Sequence, residues 1–90
     1  MITAKKAKEK IIKSISKRKY INKCKEAIDK AIANYQFECN VKIDEYDDID
    51  VDIHTTTICI LKYFEYYGYD GFIRECTDKT ASIVIRWSDN

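Results

Sequence analysis

Proline is absent from the 90-residue sequence, and glycine occurs only at Gly68 and Gly71. These residue types most often interrupt helices and strands, so their scarcity excludes a loop-rich or collagen-like chain and predicts regular elements joined by short polar turns. Long apolar stretches are also absent, whereas a membrane-spanning helix needs about 20 consecutive apolar residues. We therefore expect no membrane span. Since the N-terminus leads into lysines, we also expect no secretory signal.

Motifs that carry catalysis are equally scarce. The sequence has one histidine, His54, and no C-x-x-C pair, glycine-rich phosphate loop or G-x-S-x-G nucleophile motif. A catalytic histidine needs a nucleophile or an acid beside it, and the sequence marks no such partner for His54. We therefore interpret His54 as an exposed residue at a helix entry. We expect a protein without enzymatic activity, bound metal, cofactor or small-molecule substrate.

The four cysteines, Cys24, Cys39, Cys59 and Cys76, are widely spaced. Zinc sites usually present their ligands in close pairs, so this spacing does not predict a zinc site. An even number would permit two disulfides, but Cys39, Cys59 and Cys76 lie in apolar or alternating segments, where a free thiol packs as a small apolar side chain. We therefore expect free, buried thiols in a reducing compartment.

What the sequence does contain is a marked separation of charge. Residues 1–30 hold eleven lysines and arginines against three acidic residues, whereas residues 31–90 hold five against twelve. The apolar share of 46% is large enough for a core. We expect a single domain, residues 1–90, with a basic helical arm at residues 1–19 and an acidic α+β body at residues 20–90. Such asymmetry favours a protein partner or self-association.

The N-terminal third of the chain is predicted to be helical. Apolar residues recur at helical spacing over residues 3–17, with Thr3 as the expected N-cap. A second amphipathic helix is predicted over residues 20–35. Residues 16–20 are the expected break between the two helices. No glycine or proline enforces that break, so one continuous helix is left open as an alternative.

The apolar period changes after the second helix. Residues 37–44 alternate apolar with polar or charged side chains, which predicts a half-buried strand. Residues 45–48 are expected to form a turn or loop. Residues 49–54 alternate as well, and we leave them as either a second short strand or an extended loop.

The remainder is expected to form a helix and a β-hairpin. The helix is capped by Thr55 or Thr56 and ends at Gly68, which suits the left-handed position after a helix. The hairpin strands are residues 72–76 and 81–87. The predicted order is α-α-β-(β)-α-β-β, an α+β fold with a small three- or four-stranded antiparallel or mixed sheet and helices against one face.

The basic arm carries the first group of candidate contact residues. Its lysines could bind nucleic-acid phosphates with release of counterions, bind an acidic protein surface, including the body of a second copy, or form a solvated helix face. Arg18 is the only arginine in the arm, and aromatic residues are scarce there, which argues against nucleic acid. The candidates are Lys5, Lys6, Lys10, Lys13 and Lys17.

The second candidate is the acidic segment at residues 44–52, in which Asp48, Asp50 and Asp52 alternate. Their spacing resembles the start of an EF-hand loop. The match fails, because Ile53 stands where that loop needs glycine and its last position is not glutamate. If the segment is a strand, the three aspartates line one solvent face. The alternatives for that face are a solvated edge that resists aggregation, a weak divalent-cation site, or mimicry of nucleic-acid charge.

Tyrosines of the central helix form the third candidate. The apolar face of this helix is expected to include Phe64 and Tyr67, whereas Tyr63 and Tyr66 fall outside it. Exposed aromatic side chains are favoured contact residues in protein interfaces. Tyr63 and Tyr66 are therefore candidate partner contacts, and partial burial under the N-terminal helices is the alternative.

Residues 61–74, LKYFEYYGYDGFIR, and residues 83–87, IVIRW, resemble a pattern found in small, uncharacterised α+β proteins of tailed bacteriophages. In that pattern a helix ends at a Gly-Tyr pair, and a strand, a turn and a final strand ending Ile-x-Trp follow. The resemblance covers residues 27–87 and departs at Gly71, where those proteins often place a β-branched residue. It implies a phage context, in which such proteins are often virion components, and it transfers no catalytic residue.

The leading hypothesis is a non-enzymatic phage protein that works by protein–protein assembly, as a small virion component located in the host cytoplasm or the virion. The first alternative is a nucleic-acid-binding regulator that uses the lysine-rich helix. The second is a host-takeover or anti-defence inhibitor that uses the acidic segment at residues 44–52. The partner and its stoichiometry stay open.

Overall fold

The computed structural model describes residues 1–87 and has an α+β fold. Its elements in chain order are α1 (Ala4–Ile15), α2 (Lys19–Ala33), β1 (Glu38–Asp44), α3 (Ile53–Tyr66), β2 (Asp70–Cys76) and β3 (Thr80–Arg86). The predicted order is confirmed without its optional strand, and the helix break after Ile15 is confirmed as well. None of the described helices has the length and apolar composition needed to cross a membrane.

The three strands form an antiparallel sheet in the order β1-β3-β2. β3 lies at the centre, so Ile83 is paired with Val41 on one side and with Ile73 on the other. β2 and β3 form the predicted hairpin, and their register shifts between Ile73 and Glu75. β1 and β2 therefore run parallel to each other at the two edges, and α3 connects them.

The core lies between one face of the sheet and the helices. Alternation places Val41 and Ile43 of β1 and Ile83 and Ile85 of β3 on the helix side, where α2 packs against β1 and α3 packs against β2 and β3. Ile21 of α2 is fully buried against this face. No helix within residues 1–87 packs on the opposite face. There Val84 is only 2% exposed, and the Arg74 guanidinium reaches across β3 to donate to Asn40 Oδ1 at 3.2 Å.

Residues 49–52 are a loop, which excludes the optional strand. The Asp52 side chain accepts a hydrogen bond from the N–H of Thr55 at 3.1 Å and acts as the N-cap of α3. The expectation that Thr55 or Thr56 caps this helix was therefore wrong. A carboxylate that satisfies an orphan N–H of the first helical turn starts the helix at that point, so α3 begins at Ile53.

The two glycines have different structural roles. Gly68 has a φ of +93° directly after α3, its N–H donates to the carbonyl of Glu65, and the next N–H, of Tyr69, donates to Phe64. This Schellman arrangement confirms the predicted left-handed helix end. At Gly71, a Cβ would lie 2.9 Å from Leu61 Cδ2 and 3.0 Å from the carbonyl oxygen of Val84. Close packing between β2 and α3 therefore explains why glycine stands there.

Candidate interaction surfaces

The basic arm is attached to the body through few side chains. Thr3 Oγ1 accepts a hydrogen bond from the N–H of Lys6 at 3.2 Å and caps α1, as predicted. Of the apolar stripe, Ile12 is buried, whereas Ile11 remains 55% exposed. Ile15 also packs against the core, so α1 docks through Ile12 and Ile15 and leaves Ile11 exposed.

The lysines of α1 form a basic ridge. Lys6, Lys10 and Lys13 follow an i, i+4, i+7 spacing and therefore lie in one row on the helix surface. Lys5 is exposed beside this row, and Lys17 follows the end of the helix. Within residues 1–87, none of these lysines forms an ion pair. Their positive charge is therefore available to solvent or to a partner.

The end of the arm contacts the acidic segment. Arg18 Nη1 donates to Asp48 Oδ2 at 3.2 Å, and its other terminal nitrogen pairs with Asp50. The hydrogen bond to Asp48 is the main cause that raises the pKa of Arg18. Lys23 of α2 pairs in addition with Asp47 at 3.0 Å. The structure thus joins two segments that the sequence presented as separate candidate surfaces.

Most carboxylates of the acidic segment are engaged within the chain. Asp47 is 6% exposed, Asp48 has a left-handed φ of 64°, and Asp44 Oδ1 accepts the N–H of Tyr46. The hydrogen bond from Thr55 is the main cause that lowers the pKa of the capping Asp52. Because the segment is a loop, it does not present Asp48, Asp50 and Asp52 on one strand face. Their hydrogen bonds and ion pairs within the chain also leave fewer free carboxylates to imitate the charge of nucleic acid.

The possible metal ligands are not clustered in the described part of the chain. Residues 1–87 contain no group of three or more His, Cys, Asp or Glu side chains that could hold a metal ion. His54 is exposed in the first turn of α3, as the sequence predicted.

The tyrosines of α3 are arranged differently from the prediction. Tyr63 is only 3% exposed, and Tyr67 is 57% exposed, so the expected exposure of Tyr63 and burial of Tyr67 were both wrong. Tyr66 is exposed, at 43%, as expected. The buried face of α3 includes Tyr63 as well as the expected Phe64, so its centre is shifted from Tyr67 toward Tyr63.

A continuous row of aromatic rings crosses the end of the molecule where α2 and α3 finish. Neighbouring ring centroids are 5.0 to 6.0 Å apart, with T-shaped or tilted geometry, along the order Trp87, Tyr69, Phe64, Tyr63, Tyr67, Tyr66. Ile32 is 53% exposed and lies beside Tyr67 and Trp87. We call Ile32, Tyr66, Tyr67, Tyr69 and Trp87 the aromatic end.

A groove of about 560 Å³ between α2 and α3 opens beside this aromatic end. Tyr63, Tyr67 and Tyr69 line it, and Lys25 and Asp29 stand at its rim. The Lys25 ammonium lies 5.6 Å from the centroid of the Tyr63 ring, a distance typical of a cation–π contact. No sequence pattern indicates this groove, because only the topology brings α2 and α3 together.

The cysteines are free thiols in the described structure, with unequal exposure. Cys24 and Cys39 are buried, as expected, and burial raises the pKa of Cys24 to about 12. Cys59 is half-buried, and Cys76 is exposed, so the expected burial of Cys76 was wrong. Cys76 is the last residue of the edge strand β2.

Comparisons of the chain with protein-family models, with curated proteins and with solved structures gave no match.

Proposed function

We propose that the protein acts without enzymatic chemistry, by assembling with another protein through its aromatic end, as a small virion component of a tailed bacteriophage. The observation that carries this proposal is the group of exposed apolar side chains at one end of the body. Ile32, Tyr66 and Tyr67 are each more than 40% exposed there. Exposed apolar patches of this kind mark interaction sites more often than ordinary surface.

The chemistry of the groove supports an inference about the kind of partner. Tyrosine rings bury a large area at a small cost in side-chain entropy, which makes them frequent centres of binding energy. We infer that the partner inserts apolar side chains between Tyr63, Tyr67 and Tyr69. A carboxylate and a basic group of the partner would meet Lys25 and Asp29 at the rim. The phage and virion context is supported by the resemblance of residues 27–87 to small phage proteins.

Site-specific photo-cross-linking tests this proposal. A photoreactive phenylalanine analogue at Tyr67, in cells that naturally produce the protein, should cross-link one discrete protein. The same analogue at Tyr46, which is 79% exposed in the distant loop, is the matched control. Tyr67→Ser should reduce recovery of the complex, and Tyr46→Ser should not. Equal cross-linking at the two positions, or none at Tyr67, would contradict the proposal.

The lysine ridge of α1 favours a second candidate function, nucleic-acid binding. Lys6, Lys10 and Lys13 lie in one row and form no ion pair within residues 1–87. Each phosphate that a lysine neutralises adds to the salt dependence of binding.

Binding to duplex DNA at several salt concentrations tests this second function. Replacing one ridge lysine by glutamine should reduce the slope of log affinity against log salt by about 1. Lys62→Gln on α3, where Lys62 already pairs with Glu65, is the matched control and should leave the slope unchanged. Binding that does not depend on salt would exclude the ridge as a nucleic-acid site.

A further inference from the structure

The edge strand β1 presents a free backbone edge. The N–H of Trp87 donates to the carbonyl of Phe37 at 3.0 Å, which fixes the phase of the β1–β3 ladder. In an antiparallel ladder, alternate residues direct both backbone groups to the partner strand. Cys39 and Val41 are two and four residues after Phe37, so their N–H and C=O groups also point at β3. The N–H and C=O groups of the residues between them point away from β3.

A second contact supports this assignment independently. The N–H of Asp44, which the phase places on the free side, donates to Asp47 Oδ2 at 2.9 Å. That carboxylate closes the edge at one end. The outward backbone groups of Glu38, Asn40 and Lys42 have no hydrogen-bond partner within residues 1–87. These three outward-facing residues, spread over the five-residue stretch 38–42, are thus left open to pair with another strand.

The other edge of the sheet is less suited to strand addition. The register of β2 shifts between Ile73 and Glu75, and such bulges twist an edge away from an incoming strand. β1 has an uninterrupted register with β3 from Glu38 to Asp44. A partner strand would therefore meet a regular edge only at β1.

We propose that a second copy of this chain adds its β1 antiparallel to this edge, with Asn40 opposite Asn40 of the second copy across a two-fold axis. This register places Glu38 opposite Lys42 of the second copy, and Lys42 opposite Glu38 of the second copy. Opposite charges directly across a strand pair stabilise it. A centre at Glu38 or at Lys42 would instead place like charges opposite each other, and a centre at Cys39 or at Val41 would not place Glu38 opposite Lys42. The charge pattern therefore favours the Asn40 register.

The helix side of the seam has room for the second copy. A groove of about 630 Å³ runs between α2 and β1, and Ala27, Ala31, Phe37 and Cys39 are among the residues that line it. Packed helices lie about 8–10 Å apart, and small side chains permit the shorter distance. Ala27, which is partly exposed on α2, would therefore let the two α2 helices approach. Phe37, which is 66% exposed, would gain cover in the dimer.

The dimer would have a continuous six-stranded sheet, twice the three strands of one chain. Because the two β1 strands run antiparallel, the two aromatic ends would face in opposite directions. This dimer rests on the proposed assembly function, in which a second copy would be one partner. The second copy would bind at the β1 edge and not at the aromatic end.

Mass measurement of the full chain in solution, across a range of protein concentrations, tests the proposal. We expect a species of twice the 10.6 kDa chain mass. Lys42→Glu should weaken dimerisation about tenfold or more, because both cross-strand pairs become repulsive. The double variant Glu38→Lys with Lys42→Glu restores opposite charges and should recover the dimer, which separates an interface effect from a folding defect.

Asn40→Pro provides an independent variant. Proline removes an N–H that points away from β3, a position where edge strands tolerate it, so the chain should fold and remain a monomer. Circular dichroism and Trp87 fluorescence check folding. A monomer at every concentration, or a dimer that Lys42→Glu and Asn40→Pro leave unchanged, would overturn the inference. Cross-linking at Tyr67 should persist in the monomeric variants, so failure of the dimer and failure of the proposed function give different results.

Discussion

Asp47 holds Lys23 of α2 against the end of β1. Its Oδ2 accepts hydrogen bonds from the Lys23 ammonium at 3.0 Å and from the N–H of Asp44 at 2.9 Å. Burial alone would raise the pKa of Asp47, but these two donors outweigh it, and the pKa lies below its ordinary value of 3.8. The ionised carboxylate is therefore the form that stabilises the fold.

Asp47→Asn should destabilise the protein at neutral pH by about 1–3 kcal/mol, since a buried charge-assisted hydrogen bond is lost. The depressed pKa means that the contribution of Asp47 is present above the unfolded-state pKa of about 4 and is lost as the pH falls through the folded-state value. Urea unfolding at a series of pH values should show the difference from the native sequence shrinking in acid. Glu45→Gln, an exposed neighbour, is the control. A difference that stays constant down to low pH would contradict this role of Asp47.

Tyr35→Gly should stabilise the protein by about 1 kcal/mol. The predicted helix extended to residue 35, but α2 ends at Ala33 and Tyr35 lies beyond it, with a φ of 58° and 91% of its surface exposed. A side chain in the left-handed region is strained, and its exposure means that little packing is lost on removal. Thermal unfolding measures the gain. Gln36→Gly, at an exposed neighbour without positive φ, should give none, and an equal gain at both positions would exclude backbone strain as the cause.

Gly71→Ala should destabilise the protein by about 1–3 kcal/mol through overpacking. The Leu61 side chain can move away from the new Cβ, but the carbonyl oxygen of Val84 belongs to the central strand. Gly68→Ala meets no atom within 4 Å and should cost only the strain of its positive φ, about 1 kcal/mol. Chemical denaturation of both variants compares the two causes. A Gly71→Ala protein as stable as the native one would show that the strand and α3 separate easily.

The four thiols should react with a chromogenic disulfide reagent in separate phases. Exposed Cys76 should react first, and Cys24 should react only after local unfolding, since burial raises its pKa to about 12 and leaves little thiolate at neutral pH. Stopped-flow absorbance measures the phases. Cys76→Ser should remove the fastest phase, whereas Cys24→Ser should leave it intact. Loss of the fast phase in the Cys24 variant would contradict the described burial.

Local patterns were sufficient to predict much of the fold. Ile21 and Ile28 mark the buried face of α2, the alternation around Val41 marks β1, and Gly68 marks the end of α3. In each case one periodicity or one backbone requirement dominates, so a short stretch of sequence is enough.

Prediction failed where two patterns competed. Ile49, Val51 and Ile53 alternate as a strand would, but Asp52 satisfies the first turn of a helix and the segment folds as a loop. In α3, apolar side chains occur around most of the helix, so periodicity could not decide between Tyr63 and Tyr67. Packing against α2 and the sheet decides it, and that contact is set by the topology.

The candidate surfaces were predictable only in part. The lysine row of α1 is visible as a spacing in the sequence. The pairing of Arg18 with Asp48 joins residues 30 positions apart, and Ile32 and Trp87, which are also far apart in the sequence, line one cleft. Contacts between segments that are distant in the sequence produce no periodic pattern, so neither of these two contacts was predicted.

The central position of β3 has a consequence for synthesis. β1 and β2 are both made before β3, yet each pairs only with β3 in the described sheet. Neither strand can be paired while the ribosome is still translating residues before 80. The nascent chain therefore carries two unpaired strands until β3 emerges, and β3 then closes two contacts of different range, a local hairpin with β2 and a long-range pairing with β1.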